Sequence, residues 1–140
     1  MQVRIQKLDP HATLPNYAHT GDAGMDVYSN EDVTLAPQER RAIKTGIAMG
    51  VPEGYVALVW DKSGRALKEG LTTMAGVVDA GYRGEVMIVM LNTSSTNAEI
   101  KKGQKLAQIL VQPVASPELV EVDSLDETDR STGGFGSTGL

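Results

Sequence analysis

Residues 86–92 read VMIVMLN, and this stretch decides the fold class. Its first six residues are all apolar, so it has neither the alternation of a half-exposed strand nor the length of a helix. A short apolar run of this kind, preceded by Glu85 and ended by Asn92, is typical of a strand buried on both faces. Such strands lie between two packed sheets or at a contact between subunits. We therefore expect an all-β domain.

Strand-like runs also lie on either side of this stretch, rich in Val, Ile and Tyr and bounded by Gly, Pro or Asn: residues 3–7, 45–51, 55–60 and 106–114. One segment, residues 64–69, has the pattern of a short helix, with Ser63 as a suitable N-cap and Gly70 suitable just after its end. Many short strands with one short helix predict a β-sandwich or barrel.

The length of 140 residues fits one domain. Residues 116–130 hold six acids and one base, so the net charge of −5 leaves 12 acids and 12 bases elsewhere. We expect a β core over residues 1–115, an acidic connector over 116–130 and a Gly-rich flap over 131–140. No run approaches the ~20 apolar residues of a membrane span, and the net charge disfavours nucleic acid. We therefore expect a cytoplasmic protein that binds neither a membrane nor nucleic acid.

The composition excludes several kinds of chemistry. The chain has no cysteine and two histidines, His11 and His19. A disulfide scaffold, a Cys-ligated zinc site and thiol catalysis are therefore excluded, and a multi-histidine metal site or a Ser-His-Asp triad has almost nothing to use. Any catalysis must use carboxylates, hydroxyls, amides and cations.

Residues 61–65, with sequence DKSGR, combine two cations, a hydroxyl and a glycine at the start of the expected helix. Close backbone approach, positive charge and the end of a helix together favour a phosphate seat. The alternative is an ordinary N-cap surrounded by solvated charges.

Residues 76–85, with sequence GVVDAGYRGE, place Asp79 at the end of an apolar run and Tyr82 between two glycines. Gly81 and Gly84 around Tyr82 indicate a β-hairpin in which backbone groups can face a planar ligand. The alternative is that Asp79 simply begins a turn. In the tail, Phe135 lies between glycines and offers a ring for a base, although the composition alone favours disorder.

Five motifs in order resemble those of the trimeric dUTP pyrophosphatases (dUTPases): residues 23–27, 61–66, 76–86, 103–109 and 130–139. The resemblance implies a distorted jelly-roll β-sandwich with a flexible C-terminal arm that crosses to a neighbour. It also implies a homotrimer in which three subunits share each active site. The implied reaction is Mg²⁺-dependent cleavage of dUTP to dUMP and pyrophosphate, which keeps uracil out of DNA and supplies dUMP for dTMP synthesis.

The resemblance also implies roles for single residues. Asp79 would deprotonate the water that attacks the α-phosphorus, Tyr82 would pack under the deoxyribose, and Asp26 would lie near the water shell of the metal. The other substrate-binding residues are Thr73, Gly76 and Val78 for uracil, Lys62, Ser63, Gly64 and Gln108 for phosphates, and Arg130, Phe135, Gly136, Ser137 and Thr138 from the tail. This chemistry needs a positioned water, a base and cations, and it needs neither thiol nor histidine.

The second and third motifs depart from the usual pattern of the family. Asp61 stands where Pro is usual, Lys62 where Arg is usual and Arg65 where Leu is usual. Thr73 lies where some members carry Asn, and Gly81 where an acid is frequent. The exchange of Arg for Lys replaces a forked phosphate contact with a point charge.

Two alternatives share the fold. A dCTP deaminase-like enzyme would carry a glutamate in the strand after the Asp-x-Gly-aromatic turn, where this chain has Val89. A non-catalytic relative that binds nucleotide or protein would be expected to have a damaged third or fifth motif, and both look intact. The resemblance therefore favours the hydrolase.

Overall fold

The computed structural model describes residues 1–134, and this part of the chain forms eleven strands and one helix. The elements in chain order are β1 (Arg4–Lys7), β2 (Met25–Tyr28), β3 (Val33–Leu35), β4 (Arg40–Ile43), β5 (Ile47–Gly50), β6 (Tyr55–Trp60), α1 (Ser63–Glu69), β7 (Leu71–Met74), β8 (Val77–Val78), β9 (Ile88–Asn92), β10 (Ala98–Ile100) and β11 (Lys105–Pro113). The all-β class with one short helix is confirmed.

The strands pair antiparallel in four small sheets. The largest has the order β2-β11-β6-β8, the next has the order β4-β9-β7, and β1-β5 and β10-β3 form two-stranded pairs. The nine-residue β11 pairs with β2 on one side and β6 on the other. It therefore brings the first and fourth sequence motifs into one sheet, and the second motif directly follows β6.

The core consists of aliphatic side chains from all four sheets, because alternate residues of each strand point inward. Ile43, Leu71, Ile88, Met90 and Ile109 are each no more than 1% exposed. Burial of one such side chain contributes about 1.5–3 kcal/mol to folding. This packed centre positions the loops that carry the polar motifs.

The stretch 86–92 alternates in burial within one chain, which differs from the expectation of burial on both faces. Val86, Ile88 and Met90 lie in the core, whereas Met87 is 46% exposed. The regular strand also begins later, at Ile88. The prediction of a strand buried between two packed sheets is therefore wrong for the single chain, and the outward face stays a predicted subunit contact.

The helix begins one residue earlier than expected, and the assignment of its N-cap was wrong. Lys62 occupies the N-cap with extended backbone, no side chain caps the helix, and Ser63 is its first residue. At the other end Gly70 has φ 67° and donates its N–H to the carbonyl of Arg65. The predicted helix end at glycine is confirmed, since this left-handed conformation favours Gly.

Beyond β11 the chain forms neither strand nor helix over residues 114–134. Leu119 and Leu125 are 92% and 84% exposed. No helix in the described part is long and apolar enough to cross a membrane.

Candidate active site

The third motif lies in a long connection between two paired strands. β7 pairs with β9 from Leu71↔Asn92 to Met74↔Val89, and the chain between them passes to the other sheet, where β8 pairs with β6. The crossing occurs at Gly76, which has φ 117°. A Cβ on Gly76 would lie 2.9 Å from the carbonyl oxygen of Val59. Both the conformation and the close approach therefore require glycine.

This connection encloses a cleft of about 250 Å³, which we call the hairpin cleft. Its lining is mostly apolar and includes Gly76, Val78, Asp79, Tyr82 and Met87. Asp79 is exposed at its edge. The arrangement combines an apolar slot and backbone edges with one accessible carboxylate.

Tyr82 is held in place at both ends. Its N–H donates to the carbonyl of Asp79 at 3.1 Å, and its hydroxyl donates to the carbonyl of Glu85 at 2.9 Å. A Cβ on Gly84 would overlap the Tyr82 hydroxyl. Residues 79–82 form a turn begun by Asp79 and no strands pair across it, so the expected hairpin around Tyr82 is wrong. The turn arises because the segments on its two sides pair with different strands. Before it, β8 pairs with β6, and after it, Glu85 pairs with Ala48 of β5.

A second cleft of about 510 Å³, the basic cleft, lies beside the start of α1. Four of the residues that line it are cations: Lys62, Arg65, Lys68 and Lys105. Gly64 and Tyr28 also line it. Glu69 also lines it and pairs with Arg65, so the lining keeps a net positive charge, which suits a polyanion.

Two of these cations are anchored on one buried carboxylate. Asp26 is 4% exposed, pairs with the Lys62 ammonium, and has the Nζ atom of Lys105 2.6 Å from its Oδ2 atom. Burial by itself opposes ionisation of Asp26, but the two ammonium groups outweigh it and hold the pKa of Asp26 below its ordinary value. Asp26 in turn raises the pKa of Lys105.

Strand pairing explains why these groups meet. Asp26 on β2 lies opposite Gln108 on β11. Gly24 permits this close packing, since a Cβ there would lie 2.6 Å from the Gln108 side-chain oxygen. The first and fourth motifs, far apart in sequence, thus form one surface.

A third cleft of about 500 Å³ is lined by Asp61, Thr73, Gly76 and Gln108, and we call it the bridging cleft. Asp61 Oδ1 accepts hydrogen bonds from the Thr73 N–H at 2.5 Å and from the Thr73 hydroxyl at 2.7 Å. Asp61 Oδ2 accepts from the Thr72 hydroxyl at 2.7 Å, and the Gln108 amide donates to the Asp61 carbonyl at 2.9 Å. Although burial opposes ionisation, these donors lower the pKa of Asp61.

The sequence model of the dUTPase family matches residues 10–139 of this chain. The chain belongs to the dUTPase family. A deoxyuridine 5'-triphosphate nucleotidohydrolase of Thermobifida fusca is 48% identical over 142 residues, covering 99% of this chain and 79% of that protein. One of Mycolicibacterium gilvum is 48% identical over 143 residues, covering 96% and 93%.

Solved dUTPase structures share the fold. The dUTPase of Staphylococcus bacteriophage 80alpha with dUPNHPP superposes with a TM-score of 0.94 at 32% identity, covering 99% of each chain. A mutant dUTPase from phage phi11 of S. aureus, described with a structural Mg(II) ion, gives a TM-score of 0.85 at 31% identity. That match covers 91% of this chain and all of the other. These likenesses agree with the expected jelly-roll β-sandwich.

Within one dUTPase chain the expected site residues do not form a single cleft. Gly76, Val78, Asp79 and Tyr82 line the hairpin cleft, Lys62 and Gly64 line the basic cleft, and Thr73 and Gln108 line the bridging cleft with Gly76. Ser63 in α1 lines none of the three clefts, nor does Arg130, whose guanidinium donates to the Gly133 carbonyl at 2.9 Å. Phe135, Gly136, Ser137 and Thr138 lie outside the described residues.

Residues 1–134 of this dUTPase contain no group of three or more His, Asp or Glu side chains that could hold a metal ion. Each oxygen of Asp26 already contacts an ammonium group, so direct coordination there would have to displace a lysine. Mg²⁺ that is carried on a triphosphate keeps several of its waters and needs few protein ligands. The position of Asp26 near that water shell stays a prediction.

Sequence reasoning did not single out two residues of this dUTPase, Lys105 and Asp61, as site residues. Lys105 lies in the fourth motif, and its positive charge is the feature of the sequence that indicates a phosphate contact. Asp61 departs from the family pattern, but its partners Thr72 and Thr73 lie eleven and twelve residues away. Pairing of distant segments, which sequence spacing does not give, brings both residues into place.

Proposed function

We propose that this chain hydrolyses dUTP to dUMP and pyrophosphate with Mg²⁺, as a cytoplasmic homotrimer whose active sites combine residues from different subunits. The observation that carries the proposal is the hairpin cleft, where an apolar slot with backbone edges lies next to the exposed carboxylate of Asp79. The names of the relatives support the choice of dUTP as substrate.

The hairpin cleft would take the nucleoside. Backbone groups around Gly76 and Val78 can pair with the polar edge of uracil, as a neighbouring strand would. The Tyr82 ring, fixed at its amide and its hydroxyl, would lie under the deoxyribose. A ring that cannot retreat leaves no room for a 2′-hydroxyl, which would disfavour ribonucleotides.

The basic cleft would take the phosphates. Lys62 and Lys105 are anchored by Asp26, so their charges are in place before the substrate binds. Such preorganised cations stabilise the charge that develops on the phosphate oxygens. Asp79 and Lys62 line different clefts in one chain, and in the proposed trimer a second subunit would bring its basic cleft to this hairpin cleft.

The exposed apolar side chains near the hairpin cleft support the assembly. Trp60, Val77 and Met87 are 56%, 67% and 46% exposed. Apolar surface of this kind next to a half-formed site is typical of a subunit contact. The trimer remains part of the proposal.

In the reaction, Asp79 would accept a proton from a water molecule as the water oxygen attacks the α-phosphorus. A bond forms between that oxygen and the α-phosphorus, the bond from the α-phosphorus to the bridging oxygen breaks, and pyrophosphate leaves. Mg²⁺ on the triphosphate would neutralise part of its charge. Lys62 and Lys105 would hold the remaining charge.

A selectivity assay tests this function. Purified protein with Mg²⁺ should release pyrophosphate from dUTP and hardly any from dCTP, dTTP or UTP. Ammonia release from dCTP would contradict the proposal in favour of a deaminase, and binding of dUTP without turnover would favour a non-catalytic relative. Sedimentation of the same sample tests the trimer separately.

A further inference from the structure

Asp61 lies between the parts of the chain that form the proposed phosphate and nucleoside sites. It directly follows β6 and directly precedes Lys62, which lines the basic cleft. Its carboxylate accepts hydrogen bonds from Thr72 and Thr73 on β7. β7 leads into residues 74–76, which line the hairpin cleft.

The hydrogen bonds of Asp61 replace those of a missing neighbouring strand. β7 is the last strand of its sheet, with β9 on one side and, among residues 1–134, no strand on the other. The Thr73 N–H faces that open edge and donates to Asp61 Oδ1 at 2.5 Å. The two threonine hydroxyls donate to the same carboxylate at 2.7 Å each. One ionised side chain therefore takes the place of a strand carbonyl.

The backbone of the same residue is fixed as well. Gln108 donates its side-chain amide to the Asp61 carbonyl at 2.9 Å. Two residues earlier, the N–H of Val59 donates to the Gly76 carbonyl at 2.8 Å. The end of β6 is thereby tied to β11 on one side and to β7 and Gly76 on the other.

We propose that Asp61 is a positioning residue that fixes the start of the hairpin cleft relative to the phosphate-binding residue Lys62. The inference rests on the proposed function. A proline at this position, usual in the family pattern, has no side-chain acceptor for these three donors. In this role Asp61 would act through its hydrogen bonds with Thr72, Thr73 and Gln108, without itself binding the nucleoside or the phosphates.

The main test compares Asp61→Ala with Asp61→Asn and with Glu53→Ala, which removes an exposed carboxylate in a turn that lines none of the three clefts. Asp61→Ala should raise the KM for dUTP about tenfold with a smaller change in kcat, because misplacing the nucleoside slot weakens productive binding. Asp61→Asn keeps one oxygen acceptor and should restore most of the affinity. Glu53→Ala should behave as the unmodified protein.

A purely structural role predicts a different pattern. Loss of folded protein would lower kcat in proportion to the inactive fraction and leave the KM unchanged. That result, or an unchanged KM in Asp61→Ala, would overturn the positioning role while leaving the proposed function intact.

A double-mutant cycle tests the route. Thr72→Val removes one donor to Asp61. If Asp61 acts through β7, Thr72→Val should change the KM for dUTP less in the Asp61→Ala background than in the otherwise unmodified protein. Additive effects would contradict this route.

Amide hydrogen exchange separates this inference from the proposed function, since it needs no turnover. Asp61→Ala should speed exchange at the Thr73 amide about tenfold, because its acceptor is lost. Unchanged exchange would overturn the inference. If the unmodified protein released no pyrophosphate from dUTP, the function would fail, and this measurement would still decide whether Asp61 fixes β7.

Discussion

The hairpin cleft and the basic cleft are built by different means. The hairpin cleft is mostly apolar and depends on a glycine crossing and a doubly fixed Tyr82. The basic cleft depends on lysines whose charges are set from the interior by Asp26. Under the proposed function, shape would select the nucleoside and anchored charge would select the phosphates, so damage to one cleft should leave the binding contribution of the other intact.

The largest expected effect separates chemistry from binding in the hairpin cleft. Asp79→Asn removes the proposed base and keeps the size of the side chain, so kcat for dUTP should fall about 10²–10⁴-fold. Binding of a non-hydrolysable dUTP analogue, measured by calorimetry, should change little, because the basic cleft is untouched. A variant that retains a tenth of the activity would contradict the role of Asp79.

Gly76→Ala should damage the shape of the hairpin cleft. The residue has φ 117°, and the new Cβ would lie 2.9 Å from a carbonyl oxygen, so a cost of about 1–3 kcal/mol in the free energy of unfolding is expected. Thermal unfolding and the KM for dUTP measure the two consequences. Gly81→Ala is the matched control, since a Cβ there meets nothing within 4 Å. Equal effects of the two substitutions would refute the argument.

Lys105→Ala tests the basic cleft alone. Loss of one anchored cation should raise the KM for dUTP about tenfold, which corresponds to about 1.4 kcal/mol, with little change for binding of deoxyuridine without phosphates. Lys102→Ala, in the turn before β11 and outside the cleft, should have no such effect. If both substitutions were alike, net charge and not position would explain the binding.

Acid should weaken the anchoring of the basic cleft by Asp26, with the smallest effect of the series. The pKa of Asp26 is lowered in the folded chain, so its stabilisation is present above the unfolded pKa of about 3.9 and is lost as pH falls through the folded value. Denaturant unfolding between pH 5 and about pH 2 should therefore show a smaller acid-dependent loss of stability in Asp26→Asn than in the unmodified protein. If the free energy of unfolding fell equally with pH in both proteins, the stabilising role of ionised Asp26 would be contradicted.

The sequence predicted the longer strands better than the short ones. β6 occupies the expected residues 55–60, and β11 lies within one residue of the expected 106–114. Strands such as β3 and β8 have three and two residues, too few for a hydrophobic period, and partners distant in sequence specify them.

The same distinction applies to the candidate site. The glycine pattern around Asp79 and Tyr82 is local, so the sequence could group these residues. The contacts of Asp26 with Lys62 and Lys105 span 36 and 79 positions and depend on the pairing of β2 with β11. Their roles in binding stay predictions until the substitutions above are measured.

The Asp61 carboxylate at β7 also has a consequence for solubility. An exposed strand edge is a template on which another chain can add a strand, and proteins that leave one open tend to aggregate. Here the Thr73 N–H that an incoming strand would need is already taken, and a negative charge lies on that edge. The residue that orders the nucleoside slot thus also protects the sheet against fibre-like growth from this side.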